Sequence, residues 1–197
     1  MKKVGLYFGS FNPIHNGHLR VAKYVKEHGG FDEIWFVPSP LNPHKSEETL
    51  IPADLRLQWV QKTLESESSL FCSSEEFHLP KPSYTHKSVL HFYAKYPEIE
   101  FSIIMGADNL YGFHKWQHAQ ELSEMCPLHV YARPGYEMPL DPLPFNATWY
   151  EAPLIEISAT QIRDLLWDNA SVEELVPTKI LSELTSFFES LQPHSNQ

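Results

Sequence analysis

The run Gly9-Ser10-Phe11-Asn12-Pro13-Ile14-His15-Asn16-Gly17-His18-Leu19 constrains this chain more than any other stretch. It follows an apolar run at 4–8 that reads as a strand, and it enters a segment with helical spacing through Leu19, Val21, Ala22, Tyr24 and Val25. Each residue type in it has a mechanical use. Gly9 lets backbone approach a ligand, Pro13 stiffens the loop, and Asn16 is a candidate cap for the helix whose free N–H groups and positive dipole end attract an anion. His15 and His18 stand three residues apart at the helix mouth and can face one bound group together, with donors that are neutral or charged near pH 7. That arrangement suits a polyphosphate.

The rest of the chain supplies a scaffold for such a loop. Strands are expected at 4–8, 33–37, 70–73, 101–105, 128–132 and 148–150, and helices at about 17–28, 53–65, 86–95, 115–124, 159–168 and 178–191. Alternation of short, nearly continuous apolar strands with helices predicts an α/β fold: a Rossmann-like, doubly wound, mostly parallel sheet with helices on both faces. Ligands in that architecture gather at the C-terminal ends of the strands. The 197 residues, 42% hydrophobic and 13% aromatic, suffice for one packed domain over 1–191, followed by a polar tail at 192–197. Proline-rich loops at 38–43, 80–82 and 134–144 separate elements without marking a domain boundary.

Charge and composition exclude several classes of partner. Fifteen basic against twenty-five acidic residues give a net charge of −10, which argues against a long nucleic-acid groove. No apolar run approaches the roughly 20 residues of a membrane span, and nothing near the N-terminus reads as an export signal, so a cytoplasmic protein is expected. Cys72 and Cys126 match no metal-ligand spacing and are expected to be free thiols.

Further along, Ile157-Ser158-Ala159-Thr160-Gln161-Ile162-Arg163 is a second helix start rich in donors. Ser158 reads as its cap, and Thr160 and Arg163 project from the first turns toward any anion held there. In Val37-Pro38-Ser39-Pro40-Leu41-Asn42-Pro43-His44-Lys45 the prolines fix a loop and Lys45 offers a point charge. Gly106, at the end of a predicted strand, would admit a close ligand, and Asp108 beyond it could accept from a ribose hydroxyl or hold a hydrated metal. Trp116 offers a flat face for stacking, and Arg133 in Arg133-Pro134-Gly135 could stack on a base or reach a phosphate. Read alone, Ser83-Tyr84-Thr85 is a helix-capping turn and Trp116 a core residue.

Taken in order, these motifs resemble those of the nucleotidyltransferase superfamily. The first loop is similar to its glycine-threonine/serine-phenylalanine-aspartate/asparagine-proline-x-histidine-x-glycine-histidine signature, and residues 157–163 to its isoleucine-serine-serine/alanine-threonine-x-isoleucine-arginine motif. The loop ending His44-Lys45, the Pro82-Ser83-Tyr84-Thr85 turn, Gly106-Ala107-Asp108, Trp116 and Arg133-Pro134-Gly135 resemble the nicotinate-nucleotide adenylyltransferase branch. Two positions depart from that branch: Phe8 stands where a first glycine is frequent, and Asn12 where aspartate is usual.

The resemblance implies transfer of the adenylyl group of ATP to nicotinic acid mononucleotide, a step of NAD biosynthesis. His15 and His18 inherit the catalytic role of stabilising the departing pyrophosphate. Gly9, Ser10, Phe11, Gly106, Asp108, Arg133, Ser158, Thr160 and Arg163 are expected at ATP, and Asn42, Lys45, Tyr84, Thr85 and Trp116 at the mononucleotide. Mg²⁺ is expected on the ATP phosphates through its own waters, with no metal site built from the protein. Neither nucleic acid nor membrane is expected as a partner, and a homo-oligomer is compatible with the sequence. Rival readings are an adenylyltransferase for nicotinamide mononucleotide or phosphopantetheine, and a nucleotide-binding sensor without activity. A class I aminoacyl-tRNA synthetase is remote, because no lysine-rich second signature is visible.

Overall fold

In a computed structural model, which describes residues 1–41, 51–138, 143–152 and 157–192, six strands form one sheet in which every pairing is parallel. They are β1 Lys2–Gly9, β2 Glu33–Pro38, β3 Leu70–Cys72, β4 Ile99–Gly106, β5 Leu128–Tyr131 and β6 Ala147–Tyr150. Their spatial order is β3-β2-β1-β4-β5-β6, so the chain reverses its direction of winding between β1 and β4. Such a reversal opens a crevice beyond the strands' C-terminal ends.

Alternate side chains of the strands feed two cores. Val4 and Leu6 of β1, with Phe101, Ile103 and Met105 of β4, pack under helices α3 Thr85–Lys95, α4 Ala107–Gly112 and α5 Ala119–Met125. Tyr7 of β1, Ile34 and Phe36 of β2 and Ile104 of β4 face α1 Asn16–Gly29, α2 Ala53–Leu64, α6 Ala159–Trp167 and α7 Thr178–Leu191. The last helix shows the logic plainly: Ile180, Leu184 and Phe188 recur every fourth residue and are all buried. Burying each contributes about 1.5–3 kcal/mol, and truncating Leu184 to alanine would cost about 2–5 kcal/mol.

All six strands lie where the apolar runs place them, and the sheet is wholly rather than mostly parallel. The helices differ in detail. The expected helix at 115–124 is an α-helix only from Ala119, preceded by a 3-10 turn at Phe113–Lys115, because the chain between them must bend at Trp116 and at His118, whose φ is 55°. Helix α4 and a 3-10 turn at Glu75–His78 are additional; at six and four residues they are too short to show a period. Asn16 does not cap α1. His15 is the N-cap, and the Asn16 amide instead donates to the carbonyl of Glu174 at 3.0 Å, tying α1 to the segment before α7. Cys72 and Cys126 are free. Among the described residues no helix is long and apolar enough to cross a membrane.

Candidate active site

The loop after β1 is held open by packing. Phe11 adopts φ 43°, a left-handed conformation costly for a bulky residue, and its buried ring lies against Tyr7, Phe36 and His18 at centroid distances of 5.7, 5.3 and 5.0 Å. A Cβ on Gly9 would stand 3.1 Å from that ring, so this position has little room for a side chain. Phe11 thus acts as an internal brace, and only its backbone is available to a ligand. The Asn12 carboxamide Oδ1 accepts from the backbone N–H of Ile51 at 2.8 Å in a buried position, where asparagine avoids the cost of an ionised aspartate. Phe8 lies edge-on to Phe92 of α3, which gives this larger side chain its place.

The two histidines stack at the mouth of α1, with centroids 3.6 Å apart and planes 27° from parallel. The backbone N–H of His15 donates to Nδ1 of His18 at 3.2 Å. In the neutral ring this leaves the His18 proton on Nε2, as a donor. His15 is buried, and burial, assisted by the positive charge of Arg133, pulls its pKa down to about 3. It is therefore an uncharged hydrogen-bonding group throughout the neutral range. Both rings line a narrow recess with Tyr7, Tyr131, Arg133 and Ile157. The hydroxyls of Tyr7 and Tyr131 meet there at 3.0 Å and hold β1 to β5.

The recess draws on three further elements. Arg133, just past β5, pairs through Nε with Oδ1 of Asp108 at 3.3 Å. Gly106 permits that pairing, since a Cβ there would stand 2.4 Å from the same oxygen and 3.2 Å from the arginine stem. Gly106 is the N-cap of α4, and Asp108 lies in its first turn. At α6, Ser158 caps as expected, its Oγ accepting from the N–H of Gln161 at 3.1 Å. Arg163 reaches back from that helix, donating to the carbonyl of Asn12 at 2.8 Å and to Thr160 Oγ1 at 3.2 Å. Both donor-rich helix starts thus meet at the first loop.

Beside the recess lies a cavity of about 220 Å³, lined among others by Phe8, Gly9, Gly106, Thr85, Trp116 and Tyr131. Thr85 and Trp116 are brought together here from α3 and from the turn before α5. Tyr84 is not among the lining residues; it is the N-cap of α3, with the Lys87 ammonium 5.5 Å from its ring. Asn42 and Lys45 lie outside the described residues, as do residues 193–197 of the polar tail.

Several residues of this region were not singled out from the sequence, two of them charged. Arg56 of α2 is almost fully buried and donates to four backbone carbonyls, those of Ile51, Ser10, Ser39 and Pro40, at 2.9, 2.5, 2.8 and 2.9 Å. It fastens the loops after β1 and β2 to each other; burial lowers its pKa to about 10, which leaves it charged at neutral pH. A signal existed, because Arg56 is in helical phase with the buried Trp59, Val60, Thr63 and Leu64. Glu76 is the second, buried at the cavity wall, its carboxyl accepting from Ser88 Oγ at 2.6 Å and its pKa raised by burial. It sits in a four-residue turn that carries no pattern.

Comparison with known proteins identifies the family and the fold. A family model described as Cytidylyltransferase-like matches residues 6–165. The chain is 43% identical over 164 residues to a probable nicotinate-nucleotide adenylyltransferase of Bacteroides fragilis (strain YCH46), covering 83% of this chain and 82% of that protein. A protein of the same description from Christiangramia forsetii is 39% identical over 181 residues, covering 91% and 93%. Among solved structures, the Plasmodium falciparum nicotinic acid mononucleotide adenylyltransferase complexed with NaAD superposes with a TM-score of 0.79 at 17% identity, over 96% of this chain and 98% of that one. At that identity the likeness speaks for the fold.

Proposed function

The chain belongs to the cytidylyltransferase-like family, alongside the nicotinate-nucleotide adenylyltransferases, and from this membership we propose that it transfers the adenylyl group of ATP to nicotinic acid mononucleotide, giving nicotinic acid adenine dinucleotide and pyrophosphate. The observation that carries the reading is the junction of two spaces at the β1/β4 crevice: a recess ringed by stacked histidines and Arg133, opening beside a cavity walled by Thr85 and Trp116. The first suits a triphosphate and the second a pyridine ring.

The chemistry needs positioning more than acid–base work, because a phosphate monoester is already largely ionised at neutral pH. An oxygen of the mononucleotide phosphate attacks the α-phosphorus of ATP in line. As that P–O bond forms, the bond to the β-phosphate oxygen breaks and its electron pair leaves with pyrophosphate. The His18 Nε2–H, uncharged His15 and Arg133 would donate to the leaving oxygens, where negative charge grows. Ser158 and Thr160, at the start of α6, would hold the far phosphates. Arg163 would keep that helix against the loop. Trp116 would stack on the pyridine and Thr85 would hydrogen-bond beside it.

The groups around the recess are mostly N–H and guanidinium donors, which fit phosphate oxygens better than a cation. Mg²⁺ therefore fits as an ion carried in on the triphosphate, neutralising its charge, with the Asp108 carboxylate beside Arg133 able to hold one of its waters. One assay tests the whole reading: pyrophosphate release from ATP and Mg²⁺ in parallel with nicotinate mononucleotide, nicotinamide mononucleotide and phosphopantetheine. The nicotinate compound is expected to react fastest. Faster release with either rival would reassign the substrate, and release with none would remove the activity.

A further inference from the structure

Beyond the nucleotide site, two histidines and a glutamate converge at the outer edge of the same region. His86 is the second residue of α3, next to Thr85; His118 caps α5, two residues after Trp116; and Glu121 lies in the first turn of α5. The imidazoles of His86 and His118 stack, with centroids 4.3 Å apart and planes 20° from parallel. Nε2 of His86 lies 3.6 Å, and Nδ1 of His118 3.3 Å, from the same carboxylate oxygen, Oε2 of Glu121. One ligand atom from each residue falls within 4.8 Å of both others.

Tetrahedral coordination at metal–ligand distances of about 2.0–2.2 Å separates ligand atoms by about 3.3–3.6 Å. The two measured distances to Glu121 fall in that range before any ion has drawn the groups in. Neutral rings with their protons on these two nitrogens could also face the carboxylate, but at 3.6 Å Nε2 of His86 is too far to donate a hydrogen bond. One dication can meet all three groups once one imidazole turns out of the stack, so that its nitrogen lone pair, which lies in the ring plane, points at the ion. Two further observations favour it. The buried Nε2 of His86 has no hydrogen-bond partner, and His118 is held at φ 55°, a left-handed conformation uncommon outside glycine. Two imidazoles and one carboxylate select zinc and its neighbours over Mg²⁺, which prefers oxygen.

We propose that His86, His118 and Glu121 bind a divalent transition metal of the zinc class, with water completing its coordination, and that the metal ties the start of α3 to the start of α5. The Thr85 wall of the cavity is thereby joined to the Trp116 wall.

The test uses tag-free full-length protein stripped of metal, titrated with zinc chloride calorimetrically and with cobalt chloride by visible absorption. Wild type is expected to take up one tight zinc equivalent and to give the intense bands of tetrahedral Co²⁺. His118→Asn, which tolerates the left-handed conformation, and Glu121→Gln should each weaken that equivalent at least ten-fold and bleach the bands. His28→Ala, an exposed control on α1, should do neither. No zinc uptake by wild type at micromolar concentration, or the same uptake by both variants, overturns the site. The consequence for the cavity rests on the function proposed above: zinc should change the KM for the pyridine nucleotide in wild type but not in His118→Asn. Metal binding is measured without either substrate, so the site and the activity fail separately, and zinc that binds without moving this KM overturns the coupling.

Discussion

The guanidinium of Arg163 in α6 hydrogen-bonds the backbone carbonyl of Asn12 in the loop after β1, at 2.8 Å across 151 residues of sequence. It does this while also holding Thr160. The arginine therefore holds the start of α6 against the loop after β1 even without a ligand. A charge-assisted bond of this kind contributes about 1.5–3 kcal/mol. Arg163→Ala should lower kcat/KM by ten-fold or more, while Arg163→Lys, lacking the planar fork, recovers only part. Wild-type rates in both variants would detach Arg163 from the site.

His18 donates through Nε2 because its Nδ1 is engaged by the His15 backbone. His18→Ala should reduce kcat tens-fold or more, on the scale of about 2–4 kcal/mol for a lost transition-state donor. A folded His18→Ala enzyme with unchanged turnover would show that pyrophosphate leaves without its help.

Trp116 lies at the cavity wall against Phe113, with ring centroids 5.2 Å apart. Stacking on a flat ring is present in both bound and transition states, so Trp116→Ala should chiefly raise the KM for the pyridine nucleotide. A rise of about ten-fold matches about 1–3 kcal/mol of stacking. If only the KM for ATP rose, Trp116 would belong to the other substrate.

One buried histidine, His15, and one half-buried, His129, make the fold sensitive to acid. Burial lowers His15 to about 3 and His129 to about 4, from an ordinary 6.5. The unfolded chain gains these protons as pH falls through 6.5, whereas the folded chain resists until pH 3–4. Stability at neutral pH is thus lost progressively as pH falls from 6.5 to about 4 for His129 and to about 3 for His15. At pH 4.5 the loss should reach about 2 kcal/mol or more per histidine, since each pKa unit is worth about 1.4 kcal/mol. Urea unfolding at pH 7 and 4.5 should show a smaller difference for His129→Gln than for wild type. Equal differences would mean that the ring is already protonated in the folded protein.

Arg56 supports four carbonyls with one side chain. Arg56→Met would leave buried acceptors without donors and should cost about 3–5 kcal/mol in urea unfolding. Arg56→Lys should restore a part of this, because an ammonium cannot span the same acceptors. A loss below about 1 kcal/mol in Arg56→Met would show that the loops hold themselves.

Much of this was legible because it repeats. Strand runs and the α1 and α7 patterns carry their own period, and the Ser158 cap is a local rule that the structure obeys. Short elements were not legible: α4 and the turn bearing Glu76 complete no stripe. Asn16 was misread as a cap because its partners, near residues 174–176, are remote in sequence. The two departures at the first motif also depended on distant contacts, Phe8 on Phe92 and Asn12 on Ile51. The His15–Arg133 and Arg163–Asn12 relationships require the sheet order itself.

That sheet order also puts the segments after β1 and β2 side by side, and Arg56 clasps both from beneath. Neither segment can peel away while the clasp holds, and its release frees both. Amide protons along the two should then exchange with solvent at a common rate, as one cooperative leaf of the protein. The recess beside His15 and the cavity beside Trp116 would be lost in a single event, and a half-formed crevice would be scarce.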